Sequence, residues 1–217
     1  MTVIAIDGPA GAGKSTVAKL VAEATGLPYL DTGAMYRCIA LQSLRENVDS
    51  TDELSMARIA TTANISVEGV TSLLNGADVS DLIRTPEIAS IVSVIATHTP
   101  VRTAMRHQQQ RWISSHGGGV VEGRDIGTVV FPEAEVKIFL TASPEERASR
   151  RVGQNGGDIA SVAANIAERD RIDSGRADSP LRPADDAVVV DSTGLNISEV
   201  VSIIVGHFHQ KAGEHNG

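Results

Sequence analysis

Near the N-terminus, Gly8-Pro9-Ala10-Gly11-Ala12-Gly13-Lys14-Ser15 fits the spacing G-x-x-x-x-G-K-[ST] in full. The glycines let the backbone turn its N–H groups inward around a phosphate. A helix that starts at the end of the loop adds a favourable dipole. In that arrangement Lys14 reaches the β- and γ-phosphates of a nucleotide and Ser15 offers a hydroxyl to Mg²⁺. Thr16, next in the chain, adds hydroxyl or backbone contacts.

Three further groups of residues could complete such chemistry. The first is Asp31-Thr32-Gly33-Ala34-Met35-Tyr36-Arg37. Gly33 is expected to form a tight turn that leaves Tyr36 and Arg37 on the first turn of a helix. Arg37 could then clamp a second, acceptor phosphate, or be an exposed helix arginine. The second is Glu122-Gly123-Arg124-Asp125. Arg124 could be another clamp and Asp125 could accept from an exocyclic amine, or the two could be a structural pair closing a loop. The third is Arg169, Asp173 and Arg176, at i, i+4 and i+7 on one helix face. On spacing alone, a solvated, ion-paired face is the favoured reading.

These residues need elements that bring them to one edge of a sheet. Apolar runs alternate with helical patterns, as in a doubly wound α/β fold. Val3–Ile6, Tyr29-Leu30, Val120-Val121, Val136–Leu140 and Val188–Val190 read as five strands, all parallel. Val17, Leu20, Val21 and Ala24 repeat at helical spacing before the stop at Gly26. A helix is expected over 34–47. Residues 60–84 alternate polar with apolar, and Asn75-Gly76 signals a type I′ hairpin. Thr85-Pro86 and Thr99-Pro100 each look like an N-cap followed by proline. Ser143-Pro144-Glu145-Glu146 reads as a capping box. The stretch VGQNGGD should interrupt the helix it opens, and the tail after about Phe208 should fray. Ligands bind beyond the carboxyl ends of strands in such sheets, where the loops above would lie.

Composition sets limits. The net charge of −8 argues against a long nucleic-acid track. The positive residues are 15 arginines and only 4 lysines, a bias toward bidentate phosphate binding or toward a codon preference. No apolar run approaches the roughly 20 residues of a membrane span, and the N-terminus lacks the pattern of a signal peptide. Cys38 is the one cysteine, so a reducing cytoplasm is expected. The six histidines are scattered without metal-site spacing. The absence of N-K-x-D argues against a GTPase, and the length points to a small-molecule kinase.

Five segments together resemble the bacterial cytidylate kinase family: IAIDGPAGAGKST, LDTGAMYR, NGADVSDLIRTPEIASIVS, VVEGRDIGTVVFPEAEVKIFLTASPEERASRR and ERDRIDSGRADSPLRPADDAVVVDST. The resemblance runs over nearly the whole chain. It implies a five-stranded parallel P-loop sheet flanked by helices, with a small antiparallel insertion in the monophosphate-binding region (about 60–98) and a short lid (about 147–176), all within one kinase domain over 1–217. It also implies that ATP, with Mg²⁺ on Ser15, phosphorylates CMP or dCMP.

The same resemblance implies site roles. Gly8 to Thr16 hold ATP. Thr32, Tyr36 and Arg37 line the acceptor site, with Arg37 and Arg124 on its phosphate. Ser93, Arg102 and Asp125 meet the cytosine. Arg169 and Asp173 bind the ribose hydroxyls, and Arg176 lies near the group in transfer. Lys14, Arg37, Arg124 and Arg176 are then the residues expected to act on the reacting phosphates. Arg147, Arg150 and Arg151 belong to the lid. A monomer that binds neither nucleic acid nor membrane is expected.

A phosphate acceptor is already anionic, so no carboxylate base is expected to be essential. Two other readings stand beside this one. A kinase of a hydroxylated metabolite would use Asp31 or Asp125 as base. A nucleotide-sensing regulator would bind ATP without transferring its phosphate.

Overall fold

The structure is a computed structural model. It describes residues 1–214, with only the backbone of Asn155 and Glu214. The chain divides into two compact units: residues 1–29 with the chain from 116 onward, and residues 30–115.

The first unit is built on a five-stranded sheet. Strand β1 (Thr2–Asp7) lies at its centre, in the order β2-β6-β1-β7-β8. β1 pairs in parallel with β6 (Gly118–Gly123) and β7 (Val136–Thr141), and β7 with β8 (Val188–Asp191). The short β2 (Tyr29–Asp31) is the edge beside β6. The apolar run in β1 is buried on both faces, as a central parallel strand requires. Ile4, Ile6, Val120, Ile138 and Leu140 form the core with Val17 and Val21 of α1 (Lys14–Thr25) and Ile204 of α8 (Ile197–Glu214). In α1 the buried face is Val17, Ala18, Val21 and Ala22. Leu20 is 37% exposed, so the helix is rotated from the face its apolar spacing suggested. Helix α8 continues past Phe208, where fraying was expected; residues 215–217 lie outside the described residues.

The other two helices of this unit are α6 (Pro144–Asn155) and α7 (Ile159–Ser174). Ser143 caps α6 by accepting the Glu146 N–H. The reciprocal half of a capping box is replaced by an ion pair of Glu146 with Arg150. α6 runs through Gly153 and stops at Gly156, so the first glycine of VGQNGGD stays helical. A single helical glycine costs only about 1 kcal/mol, which the remaining turn tolerates.

The second unit carries α2 (Thr32–Arg45), α3 (Glu53–Thr62), α4 (Pro86–Ile95) and most of α5 (Thr99–His116), with a 3₁₀ turn at Leu82–Arg84. Its antiparallel sheet, β3 (Ile65–Glu68), β4 (Thr71–Leu74) and β5 (Ala77–Asp78), falls inside the expected 60–98 segment. Asn75 and Gly76 turn from β4 to β5 at φ 52° and 82°, the positive angles of a type I′ turn.

Three details differ from the sequence reading. Helix α2 starts at Thr32, so Gly33 is helical and forms no turn. Asp31 caps it by accepting the Ala34 N–H at 2.9 Å, and a Cβ on Gly33 would press to 3.1 Å from that carboxylate. Thr85 caps α4, but α5 begins one residue earlier than Thr99-Pro100 suggested, with Arg102 N–H bonded to the His98 carbonyl. Helix α3, capped by Asp52, was not anticipated. Its buried stripe is only Met56, Ile59 and Ala60.

Candidate active site

In the first unit, β1 runs out into the loop 8–13 and α1 begins at Lys14. The glycine at position 8 is obligatory. Its φ is 151°, and a Cβ there would stand 2.0 Å from the Leu140 carbonyl oxygen of β7. Ser15 and Thr16 are exposed at the helix start, where N–H groups have no partners within the helix.

Lys14 is buried, and its Nζ donates to the carbonyls of Gly8 and Pro9, each at 2.8 Å. Burial, and next the positive charge of Arg124, push its ammonium well below the usual lysine range. Arg169 adds to that push, while Glu122 and Asp7 oppose it. Arg151 is likewise held below its usual range, by burial and then by Arg124. The loop therefore sits beside a group of cations that destabilise one another.

Arg124 is fixed by Asp173: its Nε donates to Oδ2 at 2.9 Å, while Arg176 donates to Oδ1 and Arg169 Nε stands 4.0 Å away. Asp173 is 2% exposed and Arg176 8%. Burial alone would raise the Asp173 carboxyl, but Arg124, Arg176 and Arg169 hold it below its ordinary value. The solvated-face reading thus fails for Arg169, Asp173 and Arg176. It describes only Glu168 and Arg171, an exposed pair on the other side of α7. The helix ends at Ser174, so Arg176 reaches Asp173 from beyond it.

Two arginines of α6, Arg147 and Arg150, hold the loop itself. Arg147 donates to the Ala10 carbonyl at 2.9 Å and pairs with Asp170, which accepts the Ala10 N–H at 3.1 Å. Arg150 donates to the Ala12 carbonyl and to Ser192. Ala10, Ala148 and Ile166 pack beneath these bonds. Asp170 was not anticipated, because its backbone partner, the Ala10 N–H, lies 160 residues away in the chain.

Oxygen donors suited to a hard cation meet at the helix start. Ser15 Oγ donates to Glu122 Oε2 at 3.0 Å, and Tyr29 hydroxyl donates to the other oxygen of the same buried carboxylate. Among the described residues no three His, Cys, Asp or Glu side chains group to hold a metal alone. One hydroxyl and one carboxylate match the way Mg²⁺ is held, by few protein oxygens together with substrate phosphates. Asp125 is buried, and its neighbour Ile126 opens a π-helical turn (Ile126–Val130).

The second unit holds the remaining residues. Thr32, Ser93 and Arg102 are buried. The Arg102 guanidinium lies 5.8 Å from the centre of the Tyr36 ring and donates to the Ala96 carbonyl at 3.1 Å. Arg37 Nη1 donates to the Ile83 carbonyl at 3.2 Å. Asp31 caps α2 and faces Arg84 at 3.7 Å. No helix among the described residues is long and apolar enough to cross a membrane.

The profile of the family described as cytidylate kinase matches residues 4–210. A cytidylate kinase of Bacillus subtilis (strain 168) is 50% identical over 96% of this chain and 97% of its own length. One from Desulforamulus reducens is 49% identical over 93% of this chain and 94% of its own. Among solved structures, a gluconokinase from Sinorhizobium meliloti 1021 superposes with a TM-score of 0.53 at 16% identity, covering 99% of this chain and 95% of the other. That likeness concerns the fold alone.

Proposed function

Because this chain belongs to the cytidylate kinase family, we infer that its cation group serves phosphoryl transfer between two nucleotides. The enzyme transfers the γ-phosphate of ATP to CMP or dCMP, giving CDP or dCDP. The observation that carries the site reading is Lys14, buried beside the half-buried Arg124 and Arg169, a cation group whose mutual repulsion a bound polyanion would relieve.

The roles we assign follow from this. The backbone from Gly8 to Thr16 cradles the ATP phosphates, with Lys14 on the β- and γ-phosphates. Mg²⁺, which would neutralise phosphate charge, would be held by Ser15 with Glu122 as a second oxygen. Arg37 and Arg124 bind the acceptor phosphate, and Thr32 and Tyr36 line its site. Ser93, Arg102 and Asp125 select cytosine; a carboxylate accepts from its amine and repels the carbonyl of uracil. Arg169 and Asp173 meet the ribose hydroxyls, and Arg176 neutralises charge at the group in transfer. No residue serves as a general base, because the acceptor oxygen is already anionic. Positioning and charge neutralisation are the whole of the catalysis. Residues 147–176 act as the lid over the donor and 60–98 as the monophosphate-binding insertion.

We place the protein in the cytoplasm as a monomer acting on small nucleotides and binding no nucleic acid. Cys38 supports a reducing compartment: it is buried, and its thiol is pushed up to about 12. The test is ADP release with ATP, Mg²⁺ and each of CMP, dCMP, UMP, AMP and GMP. Strong turnover with CMP and dCMP, weak with UMP and none with purines is expected. No turnover with any monophosphate would overturn the reading.

A further inference from the structure

Asp7 is the last residue of β1, directly before the glycine that opens the phosphate loop. It has no part in the roles assigned above. It is 4% exposed, and each of its carboxylate oxygens accepts one backbone N–H: Ile126 at 2.9 Å and Gly127 at 2.8 Å. These two amides begin the π-helical turn and so lack partners inside it. The turn is closed from the other side by Val129 and Val130, whose N–H groups both bond the Asp125 carbonyl.

The consequence lies in what sits between the fixed points. β6 is paired to β1 up to Gly123, which stands opposite Asp7 in the register. From Ile126 onward the backbone is held by Asp7. Only Arg124 and Asp125 lie between, and both are assigned to the acceptor. We propose that Asp7 is a positioning residue for acceptor recognition: it sets the backbone from which Arg124 reaches the acceptor phosphate and Asp125 reads the base. This rests on the functional reading above. A carboxylate suits the task because both of its oxygens accept. An amide in its place would accept one N–H and turn its own NH₂ toward the other.

The test is kinetic and compares three variants with the wild type. In Asp7→Asn, one buried N–H loses its acceptor and meets a donor. The KM for CMP should rise about tenfold or more, the preference for CMP over UMP should fall, and the KM for ATP should change less than about twofold. Asp7→Glu keeps the charge but lengthens the arm, and should shift the same two quantities in the same direction. It also serves if Asp7→Asn does not fold. Val190→Ala, a core truncation in β8, should lower stability and leave the CMP to UMP preference unchanged.

An unchanged CMP to UMP preference and CMP KM in both Asp7 variants, beside an active wild type, would overturn the proposal and spare the functional reading. So would a Val190→Ala variant with the same loss of preference, because general loosening would then explain it. A wild type that phosphorylates no cytidine monophosphate would overturn both together.

Discussion

Arg124 and Asp173 lie 49 positions apart in sequence, yet their side chains meet at 2.9 Å in the interior of the first unit. The contact gives Asp173 a structural role besides the ribose contact proposed for it. It orients Arg124 and Arg176 and offsets their charge beside Lys14. Removing a buried partner leaves uncompensated charge, so Asp173→Ala should lose about 3–5 kcal/mol of unfolding free energy in urea titrations without nucleotide. A loss under about 1 kcal/mol would mean that the three arginines do not depend on it. The pH dependence has a definite sign. The folded carboxyl is held below its ordinary 3.8, so its contribution is present above that pH and lost as pH falls through the folded value. The acid limb of stability below about pH 4 should be shallower in Asp173→Asn.

Arg124 itself should matter more to rate than to ATP binding. Removing an arginine that stabilises developing phosphoryl charge costs on the order of 10³-fold in kcat. Arg124→Ala should show that loss with CMP as acceptor, and Arg37→Ala a similar one. A loss below tenfold in either would remove that residue from the phosphate site. Asp125→Asn addresses the base instead: it should leave the rate with CMP within reach of the wild type and relax discrimination against UMP. Unchanged selectivity would leave the choice of base to other groups.

How far these residues were legible in the sequence depended on distance along the chain. The phosphate loop is a local motif whose anchor residues, flanking strand and helix lie within a few turns, and the structure has that strand–loop–helix order. The parallel sheet followed from five apolar runs. By contrast, the spacing of Arg169 and Asp173 could not say which way their face of α7 turns, because the contact with Arg124 decides that, and Arg176 lies past the end of the helix. Asp7 and Asp170 gave no signal. Their backbone partners lie 119, 120 and 160 residues away, and a single acidic residue beside a strand or within a charged run looks solvated. Gly33 misled for another reason: it makes room for the Asp31 cap, which a glycine signal cannot distinguish from a turn.

Glu122 offers a test of the metal reading. Its carboxylate is 3.0 Å from Ser15 Oγ and accepts from Tyr29. If it supports a cation together with Ser15, Glu122→Gln should raise the Mg²⁺ concentration for half-maximal rate by about tenfold or more, in line with the loss on removing a residue that orients a metal ligand. The rate at saturating Mg²⁺ should recover in part. A titration that overlays the wild type would leave Glu122 as the anchor of Tyr29 and no more.

Asp7 carries a cost to the fold that depends on pH. Burial raises its carboxyl to about 6 from an ordinary 3.8; the Gly127 and Ile126 amides pull it down, and the charge of Asp125 pushes it up. The folded state therefore holds this proton more tightly than the unfolded chain. The stability linked to it is fully present below about pH 3.8 and is lost as pH rises through about 6. The loss amounts to roughly 3 kcal/mol between those limits. This window lies above the one governed by Asp173, so the two are separable. Urea unfolding from pH 4 to 8 should show the wild type losing stability relative to Asp7→Asn between pH 4 and 6, with a constant difference above pH 7. A difference that does not change with pH would mean that Asp7 is ionised throughout. With the expected slope, at neutral pH the protein holds a buried charge at a cost to stability, because only the ionised form offers both oxygens to the amides that follow Arg124 and Asp125.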